Sequence, residues 1–337
     1  MKKNFIPPYP WQAGLWQQLS HDRQQLPHAL LLYGRAGIGK YAFARYLSQA
    51  LLCKQPVAGH PCGECASCHW FNEESHPDFR MLTPEQATEP DDESASSKKT
   101  KKKTQISVAQ IRDLSEFLSL SSHRNDGARI VLIQPAEALN AASANALLKM
   151  LEEPAPGVIF ILVANQLQRL LPTIISRCQK VSMPAPNESQ ALAWLSEQGV
   201  QNAQQQLAYV SGSPIQVMNE QAQLNTFAEI WRQFALGNKL QPHLAASMLI
   251  AHSAETGIIA LQKWLCDLMT MCLTKQVHYH IAQSGALQGL ADKVNLSQLM
   301  QLQKKVDELR KLATHPLNHE LQLEALLVEY TRVFVNK

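Results

Sequence analysis

The run Leu30-Leu31-Leu32-Tyr33, followed by Gly34-Arg35-Ala36-Gly37-Ile38-Gly39-Lys40-Tyr41, leaves this chain few architectures. An apolar stretch of strand length ends in a glycine-rich turn, and a helical pattern follows from Tyr41 to Leu52. Gly34, Gly39 and Lys40 match the phosphate-binding pattern G-x-x-x-x-G-K-[ST] at every position but the last, and Gly37 adds a third glycine. In such a loop the glycines let backbone amides close on phosphate oxygens, the lysine reaches the outer phosphates, and the hydroxyl holds magnesium. Tyr41 stands at the hydroxyl position, with a phenol too far from the backbone for that task. The expectation is a nucleotide fold in which Gly34, Gly37, Gly39 and Lys40 form a degenerate phosphate loop. The alternative is a tight turn kept for packing, with Lys40 in solvent.

Two further apolar runs, Arg129–Ile133 and Val158–Val163, flank a helical stretch at Ala141–Glu153. Runs of this length separated by a helix read as buried parallel strands, and with Leu30–Tyr33 they predict a doubly wound α/β domain. Its ligand loops belong at the carboxyl ends of the strands. ATPases of this kind place an acidic pair at the end of the strand opposite the phosphate loop, to hold magnesium and polarise water. Here Ile133 is followed by Gln134 and Pro135, and Glu137 comes two positions late. The magnesium hydroxyl and both acids are missing together, which argues against hydrolysis. After Met183-Pro184-Ala185-Pro186 no strand pattern returns. Short helices are expected at Glu188–Leu195, Ala203–Val210 and Pro214–Leu224, and helix from Phe227 to the end.

Cys53 and the overlapping steps Cys62-x-x-Cys65-x-x-Cys68 place four sulfurs within sixteen residues. Three thiolates in one tight knuckle suit tetrahedral zinc, with Cys53 at the end of the preceding helix as fourth ligand. Four thiolates leave no open position, so the zinc would be structural. The competing reading is a cluster of buried or redox-active thiols. Cys266 and Cys272, further on, read as core thiols. Between Pro84 and Gln105 an acidic stretch (Glu89, Asp91, Asp92, Glu93) leads into Lys98, Lys99, Lys101, Lys102 and Lys103. With no apolar residue larger than alanine from Glu85 to Thr104, this segment reads as a disordered surface loop; a DNA-binding role for its lysines is the alternative. The net charge of +3 is too small to predict a polyanion partner, and no apolar run has the length of a membrane span. A Met-Lys-Lys start without an apolar stretch makes the cytoplasm the expected compartment.

The chain resembles the delta-prime subunits of the bacterial DNA polymerase III clamp loader. The resemblance rests on Pro27-His28-Ala29-Leu30-Leu31, the cysteine knuckle, His76-Pro77-Asp78, Asn145-Ala146-Leu147-Leu148-Lys149-Met150-Leu151-Glu152-Glu153-Pro154, Ser176-Arg177-Cys178, and Asn318–Leu327. It implies an α/β plus all-α protein of three domains. These are an AAA+ RecA-like nucleotide fold with a zinc knuckle (1–182, with the zinc module at 53–68), a small helical lid (183–226) and a helical collar (227–337); the loop at 84–105 reads as an insertion of this chain's own into the first of them. It also implies a place in a five-subunit ring with gamma/tau and delta subunits, which loads the sliding clamp onto primed DNA. In the active members, the arginine of the Ser-Arg-Cys motif points out of its own subunit toward the next subunit's ATP, which makes Arg177 the expected catalytic arginine in trans. The competing expectation for Arg177 is a helix cap or a pair with a surface acid. The catalytic gamma/tau subunits share the knuckle and the Ser-Arg-Cys motif but keep the loop threonine and the acidic pair. This chain departs from them there, and its lid segment Gly212-Ser213-Pro214-Ile215-Gln216 lacks the arginine of active members.

Three readings follow. A non-hydrolysing scaffold that completes a neighbour's ATPase site fits all the departures. A gamma/tau-like ATPase that has retained nucleotide binding fits the glycines and Lys40 only. A zinc-knuckle DNA binder would want a basic face around Cys62–Cys68, where the chain instead carries Glu64, Glu73 and Glu74.

Overall fold

The structure is a computed structural model and describes residues 6–21, 26–84, 105–119, 128–251, 253–312 and 318–334. The lysine-rich segment expected as a surface loop lies outside the described residues, apart from its two ends. The chain divides into two compact units, Met1–Pro186 and Asn187–Lys337.

In the first unit a 3-10 turn at Pro10–Gln12 leads into α1 (Ala13–His21), β1 (Ala29–Tyr33), α2 (Lys40–Leu52), α3 (Ala66–Asn72) and β2 (Phe79–Leu82). Then come α4 (Val108–Ser119), β3 (Arg129–Ile133), α5 (Ala141–Glu152), β4 (Val158–Ala164), α6 (Pro172–Ile175) and β5 (Gln179–Ser182). The five strands form one sheet in the order β2-β3-β4-β1-β5, with every pairing parallel. β1 lies between β4 and β5, with Ala29 opposite Phe160 on one side and Leu30 opposite Gln179 on the other.

Both faces of the sheet are covered, which is why β1, β3 and β4 read as continuous apolar runs rather than alternating ones. Successive side chains still point to opposite faces. Leu31, Val131, Ile133, Phe160 and Leu162 pack with α4 and α5, while Leu30, Leu32, Ile130, Leu132, Ile161 and Val163 pack with α1 and α2. Helix α5 starts where Asn140 accepts from the amide of Ser143 at 2.8 Å, a side-chain cap that fixes the turn after β3. The expected doubly wound α/β arrangement is therefore observed, and its three apolar strands lie within a residue of the expected spans. The phosphate-loop residues follow the carboxyl end of β1, as that topology requires.

The second unit is all helical: α7 (Glu188–Glu197), α8 (Ala203–Tyr209), α9 (Pro214–Ala235), α10 (Pro242–Ile250), α11 (Ala254–Thr274), α12 (Ser284–Ala291), α13 (Leu296–Lys311) and α14 (His319–Arg332). Helix α9 runs on past Leu224, where the sequence pattern ended it, because Phe227, Ile230, Trp231 and Phe234 continue an apolar face. One continuous core joins Leu195, Leu207, Trp231, Trp264, Leu268, Val306, Leu327 and Tyr330. At its centre the Trp264 indole N–H donates to the Tyr330 hydroxyl at 2.9 Å, and that hydroxyl donates to the carbonyl of Phe234 at 2.8 Å. The last two of the large buried aromatics thus keep their polar atoms satisfied.

Candidate functional site

The phosphate loop bridges β1 and α2, and Gly39 takes a left-handed φ of 89° just before the helix begins. Only glycine adopts that conformation without strain. Lys40, the first helical residue, is not in solvent: it is 4% exposed, which overturns the packing-turn alternative in that respect. Its Nζ donates to the carbonyl of Arg35 within the same loop. Burial lowers the Lys40 amine to about 8, against the opposing charge of Glu137. Tyr41 turns away from the loop, as its length demands. Its hydroxyl donates to Met81 Sδ at 3.3 Å and accepts from Arg45 Nη1 at 3.3 Å, while Arg45 also pairs with Glu74 at 2.9 Å.

At the end of β3 neither Gln134 nor Pro135 offers a carboxylate; the Gln134 amide donates to Leu82 O at 3.0 Å. Glu137 sits on the following 3-10 turn, Ala136–Ala138, as its spacing suggested. Its Oε1 accepts from the backbone amides of Asn165, just beyond β4, and Gln166, the latter at 2.7 Å. The nearest acid to Lys40 named by its electrostatics is therefore already held by backbone donors.

The four cysteines come together from α2, its exit loop and α3. Cys53 is the residue that ends α2, Cys65 precedes α3, and Cys68 lies on its first turn. The four Sγ atoms all lie within 4.8 Å of one another, with Cys53 to Cys62 at 3.6 Å and Cys62 to Cys68 at 4.0 Å. All four are free of disulfides. Amides converge on the sulfurs: Cys62 N donates to Cys53 Sγ at 3.3 Å and Cys65 N to Cys62 Sγ at 3.4 Å. Burial opposes ionisation of Cys65, yet the amides of Cys68 and Lys54 and the neighbouring thiols bring it down to about 6. Burial holds Cys53 and Cys68 above the ordinary thiol value. Four soft donors gathered in this way, with amide dipoles turned onto sulfur, fit a tetrahedral S₄ ion.

The knuckle has a latch that the sequence reading did not single out. Ser67 Oγ donates to Leu52 O at 2.7 Å and lies 2.8 Å from His76 Nε2; the Asp78 amide donates to His76 Nδ1 at 3.0 Å. The accepting Nδ1 leaves the proton on Nε2, and burial keeps His76 below its usual imidazole value. The signal in the sequence was His76-Pro77-Asp78, quoted for its likeness to a family but with no role assigned.

Arg177 lies between α6 and β5. Its Nε donates to Glu152 Oε1 at 2.7 Å, its Nη2 pairs with the same oxygen, and its Nη1 donates to Thr173 O at 3.0 Å. Both expected local contacts, an acid and the carbonyl of a helix, are thus present in the chain by itself. The Arg177 side chain is nevertheless 33% exposed. Cys178 beside it is buried, and burial pushes its thiol up to about 11. Within the first unit the loop and the cysteine cluster lie at opposite ends of α2, and Arg177 lies between α6 and β5.

A family model described as DNA polymerase III, delta subunit, matches residues 11–187. The DNA polymerase III subunit delta' of Pseudomonas aeruginosa is 35% identical over 336 residues, covering 96% of this chain and 97% of the relative. The subunit delta' of Haemophilus influenzae is 29% identical over 341 residues, covering 97% and 98% of the two chains. Among solved structures, a DNA polymerase III gamma subunit-related protein from Thermotoga maritima is similar at 15% identity and a TM-score of 0.44, covering 95% of this chain and 100% of that one.

Proposed function

The chain belongs to the DNA polymerase III subunit delta' family, and from that membership we propose that it is a non-hydrolysing subunit of the clamp-loader ring that completes a neighbour's ATPase site. The ring partners in this reading are gamma/tau and delta subunits, acting with the sliding clamp and primed DNA in the cytoplasm. Among the described residues, no helix is long and apolar enough to cross a membrane. In this reading we assign residues 1–182 to a nucleotide fold, 183–226 to a lid and 227–337 to a collar that joins the ring; the division into two compact units falls after Pro186, so the assigned lid and collar share the second unit apart from residues 183–186.

One observation carries the reading. The magnesium hydroxyl and both acids are replaced together by Tyr41, Gln134 and Pro135, while a partly exposed Arg177 is kept in the Ser-Arg-Cys motif. An arginine with no turnover of its own to support has a use beyond its chain. A guanidinium suits that use because it is always charged and its fork reaches two oxygens as charge moves onto a γ-phosphate. Arginine fingers in the best-studied GTPases contribute about 10³–10⁵ in rate, and a ring with several active sites averages this down.

The test is steady-state ATP turnover by reconstituted rings with clamp and primed DNA. Arg177→Ala lowers turnover and clamp loading while folding, metal content and ring assembly stay intact. Arg177→Lys rescues little, because a point charge does not reproduce the fork. Unchanged turnover with Arg177→Ala would reduce the residue to its contacts with Glu152 and Thr173. Magnesium-dependent turnover by the isolated chain, abolished by Lys40→Ala, would instead make it a gamma/tau-like ATPase.

Cys53, Cys62, Cys65 and Cys68 would hold one structural Zn²⁺, which neutralises the thiolates and pins the knuckle to the end of α2. The purified native chain should contain stoichiometric zinc.

A further inference from the structure

The second unit holds a cavity of about 180 Å³ between α8, α9 and the segment 279–283 that follows α11, and we propose that it binds a small, uncharged, planar ring that donates an N–H or O–H to His280 Nε2. Its floor is aromatic and buried: Tyr209, Phe227 and Trp231 line it beside His280. Its mouth carries carboxamides, with Asn202 and Gln205 exposed and Gln206 and Gln283 half-buried. A cavity of about 150 Å³ takes benzene, so this one has room for a single ring with a small substituent.

Two acceptors on the cavity wall have no donor. His280 is 3% exposed, and its Nδ1 lies 2.8 Å from Asp267 Oδ2. The Asp267 carboxylate also accepts from the backbone amides of His278, Tyr279 and His280. An ionised carboxylate only accepts, so Nδ1 carries the proton and Nε2 presents a lone pair. Asp267 lies off the cavity wall, and Nε2 is on the other edge of the imidazole from it. Anchoring the turn to α11 therefore uses Nδ1 and leaves Nε2, which is buried without a hydrogen-bond partner among the described residues. Gln206 Oε1 is in the same position, because its amide is turned to donate from Nε2 to Gln201 O at 3.1 Å. Buried acceptors without donors are costly and rare, since contact with water is lost and nothing replaces it. Both of these belong to residues lining one cavity, which points to a donor brought from outside the chain.

The charges argue against an ion. No Asp, Glu, Lys or Arg is among the described residues that line the cavity. Lys263 already sets a cation on the Tyr209 ring, 3.9 Å from its centroid, and donates to Tyr209 O at 2.8 Å. A second cation would meet that charge, and an anion would meet two lone pairs. A neutral ring is what remains: it packs against the aromatic floor, and its donor completes His280. The cavity lies wholly within residues 187–337, so the idea fails or holds separately from the reading of Arg177, which belongs to the first unit.

Saturation-transfer NMR titrations of the native full chain test this, with phenol and uracil as donor probes and toluene as the isostere of phenol without its donor. Phenol supplies an O–H and uracil an N–H, so whichever saturates names the donor. A site built for a donor should take phenol at least about tenfold more tightly than toluene. Hydrogen exchange should slow in α8 and over residues 278–283 when the donor probe is bound. His280→Phe keeps a ring in place and removes the acceptor, so the preference for phenol over toluene should vanish. Ala228→Trp adds bulk at an exposed position on the cavity wall and should abolish binding of every probe. It carries the test if His280→Phe does not fold, which circular dichroism decides. Toluene held as tightly as phenol would overturn the proposal and leave both acceptors to ordered water. Absence of saturation by phenol and by uracil would overturn it too, as would binding that Ala228→Trp leaves untouched.

Discussion

Arg177 is the residue where the observed local contacts and the proposed role in trans would compete for the same atoms. Its pair with Glu152 is partly exposed on both sides, at 33% and 47%, and pairs of that kind contribute about 0–1 kcal/mol. So small a contribution neither fixes the arginine nor explains why the motif keeps it. Glu152→Gln separates the roles. It should change the stability of the isolated chain by about 0–1 kcal/mol, and rings built with it should turn over ATP at the native rate or faster, because Nε and Nη2 are released. If Glu152→Gln slows the ring as much as Arg177→Ala, the intact pair is what the ring needs and the arginine does not act through a neighbour's phosphate. Tyr41 gives a second residue-level test. Tyr41→Thr restores the missing hydroxyl but leaves Gln134 and Pro135 in place of the acids, so the isolated chain should remain without magnesium-dependent turnover in a phosphate-release assay.

The elements of the site differ in how plainly the sequence spoke for them. β1, β3 and β4 were legible because strands buried on both faces leave continuous apolar runs, and the phosphate loop was legible because its glycines answer a backbone requirement. β2 and β5 were not. They are the edge strands of the sheet, each four residues long, and Phe79-Arg80-Met81-Leu82 and Gln179-Lys180-Val181-Ser182 carry the polar residues that edges tolerate. The gathering of the four cysteines could be read from spacing, but the Ser67–His76 latch that ties the knuckle to Leu52 could not, since its partners meet only after folding. The knuckle makes its own prediction. Cys65→Ser removes the thiol that ionises most readily, so zinc content by mass spectrometry should fall well below one per chain and hydrogen exchange should rise in α3 and at the end of α2. Retention of full zinc content in Cys65→Ser would remove that residue from the ligand set. His76→Ala, by contrast, should keep the metal and lose only part of the protection in α3, because it breaks the latch and leaves the sulfurs.

At the scale of the whole molecule, the two units have separate cores and should answer to separate solution conditions, so unfolding is not a single two-state step. The lever proposed for residues 1–186 is metal at the cysteine cluster. At a free zinc concentration about a thousandfold above the dissociation constant, binding contributes about 4 kcal/mol, which in a unit of this size is a midpoint shift of about 8–16 °C. A chelator should lower that unit's transition and leave the other where it was. The lever on residues 187–337 is acid. The Asp267 carboxylate is fully buried and accepts from the amides of His278 at 2.8 Å, Tyr279 at 3.0 Å and His280 at 2.7 Å, and from His280 Nδ1 at 2.8 Å. Burial alone would raise its value, but the bonds from His280 and the amides outweigh it and hold Asp267 below its ordinary 3.8. Burial keeps His280 below its ordinary 6.5, against the pull of Asp267. The signs agree. As pH falls through 6.5 the unfolded imidazole takes a proton that the folded one refuses, so stability is lost from there down to the folded value of His280. Below 3.8 the unfolded carboxylate takes a proton before the folded one, and a second loss follows down through the folded value of Asp267. Hydrogen exchange followed by peptide across pH 7 to 5, with and without chelator, reads both levers in one experiment. Acid should open α11 and the loop through His280 regardless of chelator, and chelator should open α2 and α3 at every pH in that range. Asp267→Ala should weaken the helical unit by about 3 kcal/mol or more, since three amides lose their acceptor together. A pH response in α11 that is the same in His280→Phe as in the native chain would show that the imidazole is not the titrating group, and would leave the early acid sensitivity to another site in the unit.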